Sequence, residues 1–169
     1  QISGQDEVAN LANSFSVMRD ELKKHISMLQ DAATAKERIE SELRIAQSIQ
    51  MELVPKTFPP FPDRKDFELY AMMTPAREVG GDFYDFMMPD SDHLWIAIGD
   101  VSGKGIAAAL FMAVTRTFLR AFIQEERSPS KVLDRVNNEL ARNNDANMFV
   151  TLFCGVVHLP TGKFCWSNG

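Results

Sequence analysis

The sequence predicts an α+β protein in which a long N-terminal helix precedes a domain of antiparallel sheet and covering helices. Apolar residues recur at helical spacing through the first third of the chain. Short apolar stretches typical of strands follow in two groups. Two longer segments with helical patterns separate these groups, an order that favours helices laid against one antiparallel sheet.

The N-terminal segment carries a heptad pattern from residue 8 to residue 53. Its repeating positions are Val8, Leu11, Phe15, Met18, Leu22, His25, Leu29, Ala32, Lys36, Ile39, Leu43, Ala46, Gln50 and Leu53. Sustained heptads favour a parallel dimeric coiled coil, although one long solvated helix packed on its own domain would give the same pattern. The polar positions His25, Lys36 and Gln50 weaken the seam, so the helix pair could switch between two packings.

A domain boundary is predicted where this helix stops. Pro55 disfavours helical geometry in the residue before it, so the helix ends near Val54. The stretch "PKTFPPFP" has four prolines in eight residues, which is typical of a stiff connector. We therefore assign residues 55–66 to a connector and residues 67–169 to the folded domain.

The folded domain reads as strands, then two helices, then strands. The segments "FELYAMM", "DFYDFMM" and "HLWIAIGD" are predicted strands. "GIAAALFMAVTRTFLRAFIQ" is predicted to be a helix buried on most faces, and a second helix starts with Ser128 as N-cap and Pro129 at its first position. "MFVTLFCGVVHL" and "GKFCWSN" are strands joined by a hairpin across "PTG".

Composition excludes several classes of function. The net charge of -5, without a basic cluster, gives no electrostatic basis for binding nucleic acid. Cys154 and Cys165 are expected to be reduced thiols in strands, since their spacing is not that of a metal site. We find no run of eighteen apolar residues, so we expect no membrane span, and no signal peptide. The chain begins with Gln1 and stops after a strand, so both ends are expected to be cut.

Two Gly-Asp pairs are the candidate metal-binding residues of the domain. Asp82 starts one predicted strand and Asp100 ends the next, so antiparallel pairing through "MPDSDH" would bring both carboxylates to one rim of the sheet. Mg²⁺ or Mn²⁺ between them would relieve their repulsion. Gly99 and Gly103 would let the backbone turn and offer a carbonyl such as that of Val101. The alternative is that both aspartates only cap turns.

Other interpretations of this stretch fit less well. "GDVSGKG" has three residues between Gly99 and Gly103 and a glycine in the hydroxyl position, so it is not a P-loop. "GGDFYDF" has Phe83 where the GGDEF signature of diguanylate cyclases has an acidic residue. Ser102 is interpreted as a turn residue. Asp85 is interpreted as a residue on the surface of a strand, with support of the metal ligands from behind as the alternative. Asp90 is interpreted as a turn residue whose replacement by Asn should have almost no effect.

The stretches "PAREVGGDFYDF" and "IAIGDVSGKGIAAALFMA" resemble the bacterial PPM-type (type 2C-like) serine/threonine phosphatases of the SpoIIE and RsbU kind. "RIAQSIQMELVPKTFP" is similar to the helical linker that precedes that domain. "GQDEVANLANSFSVMRDEL" resembles the end of a HAMP signalling module. The resemblance thus implies a HAMP end at 1–24, a coiled-coil signalling helix at 25–54, and the N-terminal part of an α/β/β/α sandwich with antiparallel sheets at 67–169.

The resemblance also implies a site with two Mn²⁺ or Mg²⁺ ions, where an activated water attacks phosphoserine or phosphothreonine. Asp100 would bridge the ions, Val101 would lend its carbonyl, and Asp82 would hold the second ion. The Arg77 guanidinium could meet the substrate phosphate, and the alternative is that Arg77 is a solvated surface residue. The family has two further metal-binding aspartates, which are expected beyond residue 169. This chain alone is therefore expected to bind metal weakly and to be inactive.

The same resemblance implies a place for the protein in signalling. The substrate would be a phosphorylated regulatory protein such as an anti-sigma-factor antagonist. The protein would form a homodimer through the coiled coil and lie on the cytoplasmic side of a membrane, anchored by a segment outside this chain. The alternative is a non-catalytic dimerising or scaffold module, a pseudophosphatase. Metal-dependent hydrolysis of a phosphoprotein would separate the two.

Overall fold

The computed structural model describes residues 4–74, 79–142 and 144–169. Its elements are α1 (Gly4–Leu53), β1 (Phe83–Met87), β2 (His93–Val101), α2 (Ile106–Glu125), α3 (Pro129–Ala141), β3 (Val150–His158) and β4 (Lys163–Asn168). The predicted α+β class is thus confirmed. The chain divides into two compact units, one reaching Glu42 and one running from Leu43 to Gly169, so the last turns of α1 belong to the second unit.

The first unit is a single solvated helix. Its heptad positions are largely exposed, with 66% of Val8 and 61% of Phe15 accessible. Exposed ion pairs four residues apart, such as Arg38–Glu42 at 3.0 Å, each stabilise the helix by about 0.3–0.5 kcal/mol. Within the described residues of this unit nothing covers the apolar stripe, and the coiled coil stays a prediction.

The second unit is built on one antiparallel sheet with the strand order β1-β2-β3-β4. The pairing of β1 with β2 through residues 88–92 is as predicted. The hairpin between β3 and β4 is also confirmed, and its turn contains Gly162 with φ of 66°. Each strand is therefore paired with its neighbour in the chain, and the pairing of Phe83 with Gly99 sets the register next to the site.

One face of the sheet carries the two helices. Alternate strand residues such as Trp95, Ala97, Leu152 and Cys154 are buried there together with residues of α2 and α3. The opposite face exposes Ile98 and 62% of Trp166, and no second sheet occurs in the described part of the chain. The structure thus contains one helix-covered sheet of the predicted sandwich.

Helix α2 differs from the expectation of burial on most faces. Its buried residues form one stripe, Ala108, Met112, Thr115, Leu119 and Ile123, whereas Leu110 is 63% exposed. By length and composition alone α2 could cross a membrane, although it contains no uninterrupted run of eighteen apolar residues. In the structure this stripe lies against the sheet.

The segment before β1 contains a second difference. Residues 67–73, predicted as a strand, alternate between half-buried and exposed but form no strand in the structure. The alternation predicted the exposure of the side chains, whereas a strand also needs a partner with matching backbone hydrogen bonds. The preceding connector contacts the sheet, since the rings of Phe58 and Phe61 lie 5.8 Å and 6.0 Å from that of Phe86.

Candidate metal centre

Asp82 and Asp100 lie side by side at one rim of the sheet. The register pairs Phe83 with Gly99, so the next position outward on each chain is an aspartate. Both side chains are exposed. The pKa of the Asp82 carboxyl is raised by partial burial first, then by a hydrogen bond with Asp100 and by repulsion from its charge. The expected meeting of the two carboxylates is therefore present in the fold.

The two aspartates open onto a cavity of about 580 Å³ on the face of the sheet opposite the helices. Thr151, the partner of Asp100 on β3, and Asn168 of β4 also line it. The Thr151 hydroxyl donates a 3.3 Å hydrogen bond to the backbone oxygen of Asp100. Sequence reasoning missed both residues. The polar threonine in the otherwise apolar "VTLFCGVV" was the available signal.

The backbone around the aspartates is closely packed at Gly81. A Cβ added to Gly81 would lie 2.7 Å from the Val101 Cβ and 2.8 Å from the Val101 carbonyl oxygen. Glycine is therefore required here for the segment before Asp82 to approach Val101. This contact places the Val101 carbonyl beside the strand that carries Asp82.

The glycines on either side of Asp100 confirm only part of the expected turn. Gly103 has φ of 85°, in the left-handed region that glycine favours, and the chain turns there into α2. Gly99 lies inside β2, and its missing side chain makes room for the Phe83 ring. The structural role predicted for Ser102 is confirmed. Its Oγ accepts a 2.9 Å hydrogen bond from the Phe149 amide, and its amide donates to the Phe149 carbonyl at 2.8 Å.

The donor set fits a hard divalent cation. Two carboxylates and a backbone carbonyl are oxygen ligands, which Mg²⁺ and Mn²⁺ prefer over nitrogen or sulfur. Two adjacent carboxylates also repel each other, and a cation between them removes that repulsion. The described residues contain no group of three or more His, Cys, Asp or Glu placed to bind a metal. The roles of Asp82, Asp100 and Val101 as ligands stay predictions, and Arg77 lies outside the described residues.

Asp85 has an environment that the surface-strand interpretation did not foresee. It is 6% exposed, and its side chain points from β1 towards Arg116 and Arg120 of α2. Arg120 donates to it through Nε at 2.6 Å and through Nη2 at 2.7 Å. The Arg116 Nε lies 3.0 Å from Oδ2, but it lacks the alignment of a hydrogen bond. The hydrogen bonds to Asp85 raise the pKa of Arg120, whereas burial lowers that of Arg116. Asp85 is thus an internal ion-pair partner.

Comparison with known proteins agrees with this architecture. Residues 90–169 match the family model of stage II sporulation protein E (SpoIIE). Protein IcfG of Synechocystis sp. is 31% identical over 97% of this chain. Phosphoserine phosphatase RsbU of Bacillus subtilis is 32% identical over 78% of it. Residues 90–169 are therefore part of a SpoIIE-type PPM phosphatase domain, homologous to SpoIIE and to RsbU. The resemblance predicted from the Gly-Asp motifs is confirmed.

A solved structure shows the same fold. The SiaA-PP2C domain of Pseudomonas aeruginosa superposes with a TM-score of 0.66 at 21% identity, over 80% of this chain and 55% of that one. The chain spans 29% of IcfG and 38% of RsbU. It therefore corresponds to a minor part of each of these two relatives.

Proposed function

We propose that the whole protein is a metal-dependent phosphatase that removes phosphate from phosphoserine or phosphothreonine of a regulatory protein. The observation that carries the proposal is the meeting of Asp82 and Asp100 at the rim of a SpoIIE-family sheet. Similarity to a protein named phosphoserine phosphatase supports the substrate class. The cofactor would be Mn²⁺ or Mg²⁺, in two ions.

The residues of this chain would hold the ions at the sheet rim. Asp100 would contact both ions, and Asp82 one. Val101, 2% exposed, would contribute its carbonyl rather than its side chain. Divalent ions, when bound, supply an acidic water and stabilise charge on phosphate oxygens. The carboxylates would hold the ions in this cavity, which a phosphorylated side chain of another protein could enter.

Substrate binding requires positive charge that the two carboxylates do not supply. Arg77 precedes Asp82 by five positions. Its guanidinium would bind phosphate oxygens through paired N–H donors. We propose this role from the sequence alone. Neutralisation of Arg77 should then raise KM more than it lowers kcat, because the residue would bind phosphate in both the ground state and the transition state.

The wider setting is also part of the proposal. The substrate would be an anti-sigma-factor antagonist or a comparable phosphorylated switch protein. The protein would form a homodimer through residues 25–54 and lie on the cytoplasmic side of a membrane. Residues 1–24, before this helix, would be the end of a HAMP module. Support for this setting comes from the heptad pattern and the HAMP-like stretch of the sequence.

The test is release of phosphate from a phosphoserine protein by the whole protein, with Mn²⁺ and with a chelator. The proposal predicts turnover that depends on Mn²⁺ and is lost in Asp100→Asn. Asp63→Asn, a matched change at an exposed aspartate in the connector, should retain activity. A folded wild-type protein that binds Mn²⁺ but hydrolyses none of the phosphoserine and phosphothreonine substrates would support a pseudophosphatase instead.

A further inference from the structure

The end of α1 is bound directly to the segment that leads into Asp82. Gln50, in the last turn of α1, is only 7% exposed. Its Nε2 donates a hydrogen bond to the Gly80 carbonyl, and its Oε1 accepts one of 3.2 Å from the Gly80 amide. Gln50 was predicted as a polar seam residue of a coiled coil. The structure instead gives its side chain a partner within the second unit.

This pair of hydrogen bonds fixes a backbone position. One carboxamide satisfies both the donor and the acceptor of Gly80, as a neighbouring strand would. The adjoining Val79 is 3% exposed, so the segment is anchored beside a buried side chain. Removal of the carboxamide would leave backbone polar groups of Gly80 without their partners in a poorly solvated place.

The fixed position lies close to the carboxylates along the chain. Gly80 is two residues before Asp82, so their Cα atoms are at most about 7.6 Å apart. Between them, Gly81 lies against Val101 with no space for a Cβ. A displacement of Gly80 is therefore transmitted to Asp82 and to the contact with the Val101 carbonyl.

A third hydrogen bond connects the same end of α1 to the other side of Asp82. The Tyr84 hydroxyl donates to the Pro55 carbonyl at 2.6 Å, two residues after the helix ends. Tyr84 lies two positions beyond Asp82, on the same side of the extended chain. The end of α1 thus holds residues on both flanks of this aspartate.

We propose that Gln50 is a positioning residue for the carboxylate pair: it holds the Gly80–Asp82 segment in register with β2, so that Asp82 meets Asp100. The position of the last turn of α1 then determines how well the site binds a divalent cation. This inference rests on the proposed function, because it concerns the residues assigned as ligands of that cation.

The effect should appear mainly in metal affinity. Without the carboxamide, the Gly80–Asp82 segment samples other positions. The cation then binds only those protein molecules whose segment is in register with β2. Apparent affinity falls in proportion to the fraction of such molecules. We expect an approximately tenfold weaker Mn²⁺ affinity in Gln50→Met, which corresponds to about 1.4 kcal/mol. Saturating Mn²⁺ should restore most of the turnover, since the ion then holds the segment in place.

The experiment uses Gln50→Met, with Gln124→Met on an exposed position of α2 as the matched control. Mn²⁺ binding is measured without substrate, and amide hydrogen exchange is measured without metal. In Gln50→Met we expect tenfold weaker Mn²⁺ binding and faster exchange at Gly80, Gly81 and Asp82. Exchange at Cys154, in the middle of β3, should be unchanged, and Gln124→Met should match wild type. Gln50→Glu, which keeps the acceptor for the Gly80 amide, should lie between wild type and Gln50→Met.

Two results would overturn the inference. Unchanged Mn²⁺ affinity in Gln50→Met would show that the bonds to Gly80 serve stability alone, even if the melting temperature fell. Unchanged exchange at Asp82 would show that the segment does not depend on Gln50. Failure of the wild-type protein to bind Mn²⁺ would contradict the proposed function instead. The exchange at Asp82 would then still decide whether Gln50 holds this segment.

Discussion

Two carboxylate sites on the β1-β2 strand pair have opposite electrostatic surroundings. Asp85 lies on the helix-covered face of the sheet, buried against Arg116 and Arg120. Asp82, three residues earlier, lies at the rim on the other face next to Asp100. The first carboxylate has two cations supplied by α2. The second has another carboxylate, and no ion pair to either aspartate occurs among the described residues.

The difference separates a structural site from a functional one. A buried charge is tolerated when the chain itself supplies the opposite charge, as α2 does for Asp85. Two like charges held together at an open rim are unfavourable unless a cation comes from solution. We therefore assign Asp85 to the stability of the fold and Asp82 with Asp100 to metal binding.

The largest expected effect is on activity at the rim. Asp100→Asn should lower kcat of the whole protein by about 1000-fold, or about 4.1 kcal/mol of barrier, because the residue is proposed to contact both ions. Asp82→Asn should act in the same direction but less, because it is proposed to contact one ion. Release of phosphate from a phosphoserine protein at saturating Mn²⁺ measures both, with circular dichroism to confirm folding.

The control for these variants must be a carboxylate with no structural contacts of its own. Replacement of Asp90 was expected to have almost no effect. Its carboxylate, however, accepts hydrogen bonds from the His93 amide at 2.9 Å and from Arg127 at 2.8 Å. The exposed Asp63 is the better choice. Equal activity of wild type and a folded Asp100→Asn variant would mean that the rim aspartates only cap turns.

The next effect is on stability at the helix-covered face. Asp85→Asn should lower the free energy of unfolding by about 2–3 kcal/mol, because it leaves two arginines without their counter-charge. The value is below that of a fully buried pair, since 41% of the Arg120 side chain is exposed. Urea unfolding measures the change. Mn²⁺ affinity below the unfolding transition should equal that of wild type, and a loss of affinity would remove the distinction between the two sites.

A smaller effect is expected from the paired glycines before Asp82. Gly81→Ala should cost about 1–3 kcal/mol of stability, since its Cβ would overlap Val101. Gly80→Ala is the matched control, because a Cβ there meets no atom within 4 Å. Its effect on stability should stay within about 0.5 kcal/mol. Thermal unfolding of both variants tests the contact, and equal melting temperatures would show that Gly81 is not constrained by Val101.

The smallest effect concerns thiol reactivity. Burial raises the pKa of the Cys154 thiol to about 12, whereas Cys165 is exposed. Only the thiolate reacts with alkylating reagents, so Cys165 should be modified in the native protein at pH 8 while Cys154 reacts only after unfolding. Mass spectrometry after timed alkylation measures both. Rapid native modification of Cys154 would mean that the helices do not cover this face of the sheet.

The sequence was sufficient to predict the strand pairing at the site, because local patterns of apolar and turn residues determine it. Alternating apolar residues and the "MPDSDH" turn predicted that β1 and β2 pair and that Asp82 meets Asp100, as observed. Residues 67–73 have the same alternation without becoming a strand, because alternation does not specify a backbone partner.

Contacts between distant residues were not predictable in this way. Gln50 continues a heptad, and no local signal shows that its carboxamide binds Gly80, thirty residues away. Asp85 was taken for a surface residue because its cations lie on α2, more than thirty residues further along the chain. Polar residues at buried positions depend on tertiary partners, which periodicity does not reveal.

The most direct test of the comparison is a titration of the whole protein with Mn²⁺, followed by the electron paramagnetic resonance signal of the free ion. Wild type should take up two ions per chain. Asp100→Asn should lose at least one ion or bind both at least tenfold more weakly, while folded Asp85→Asn binds like wild type. Asp100→Asn protein that takes up Mn²⁺ with wild-type stoichiometry and affinity would contradict the assignment of this rim as the metal centre.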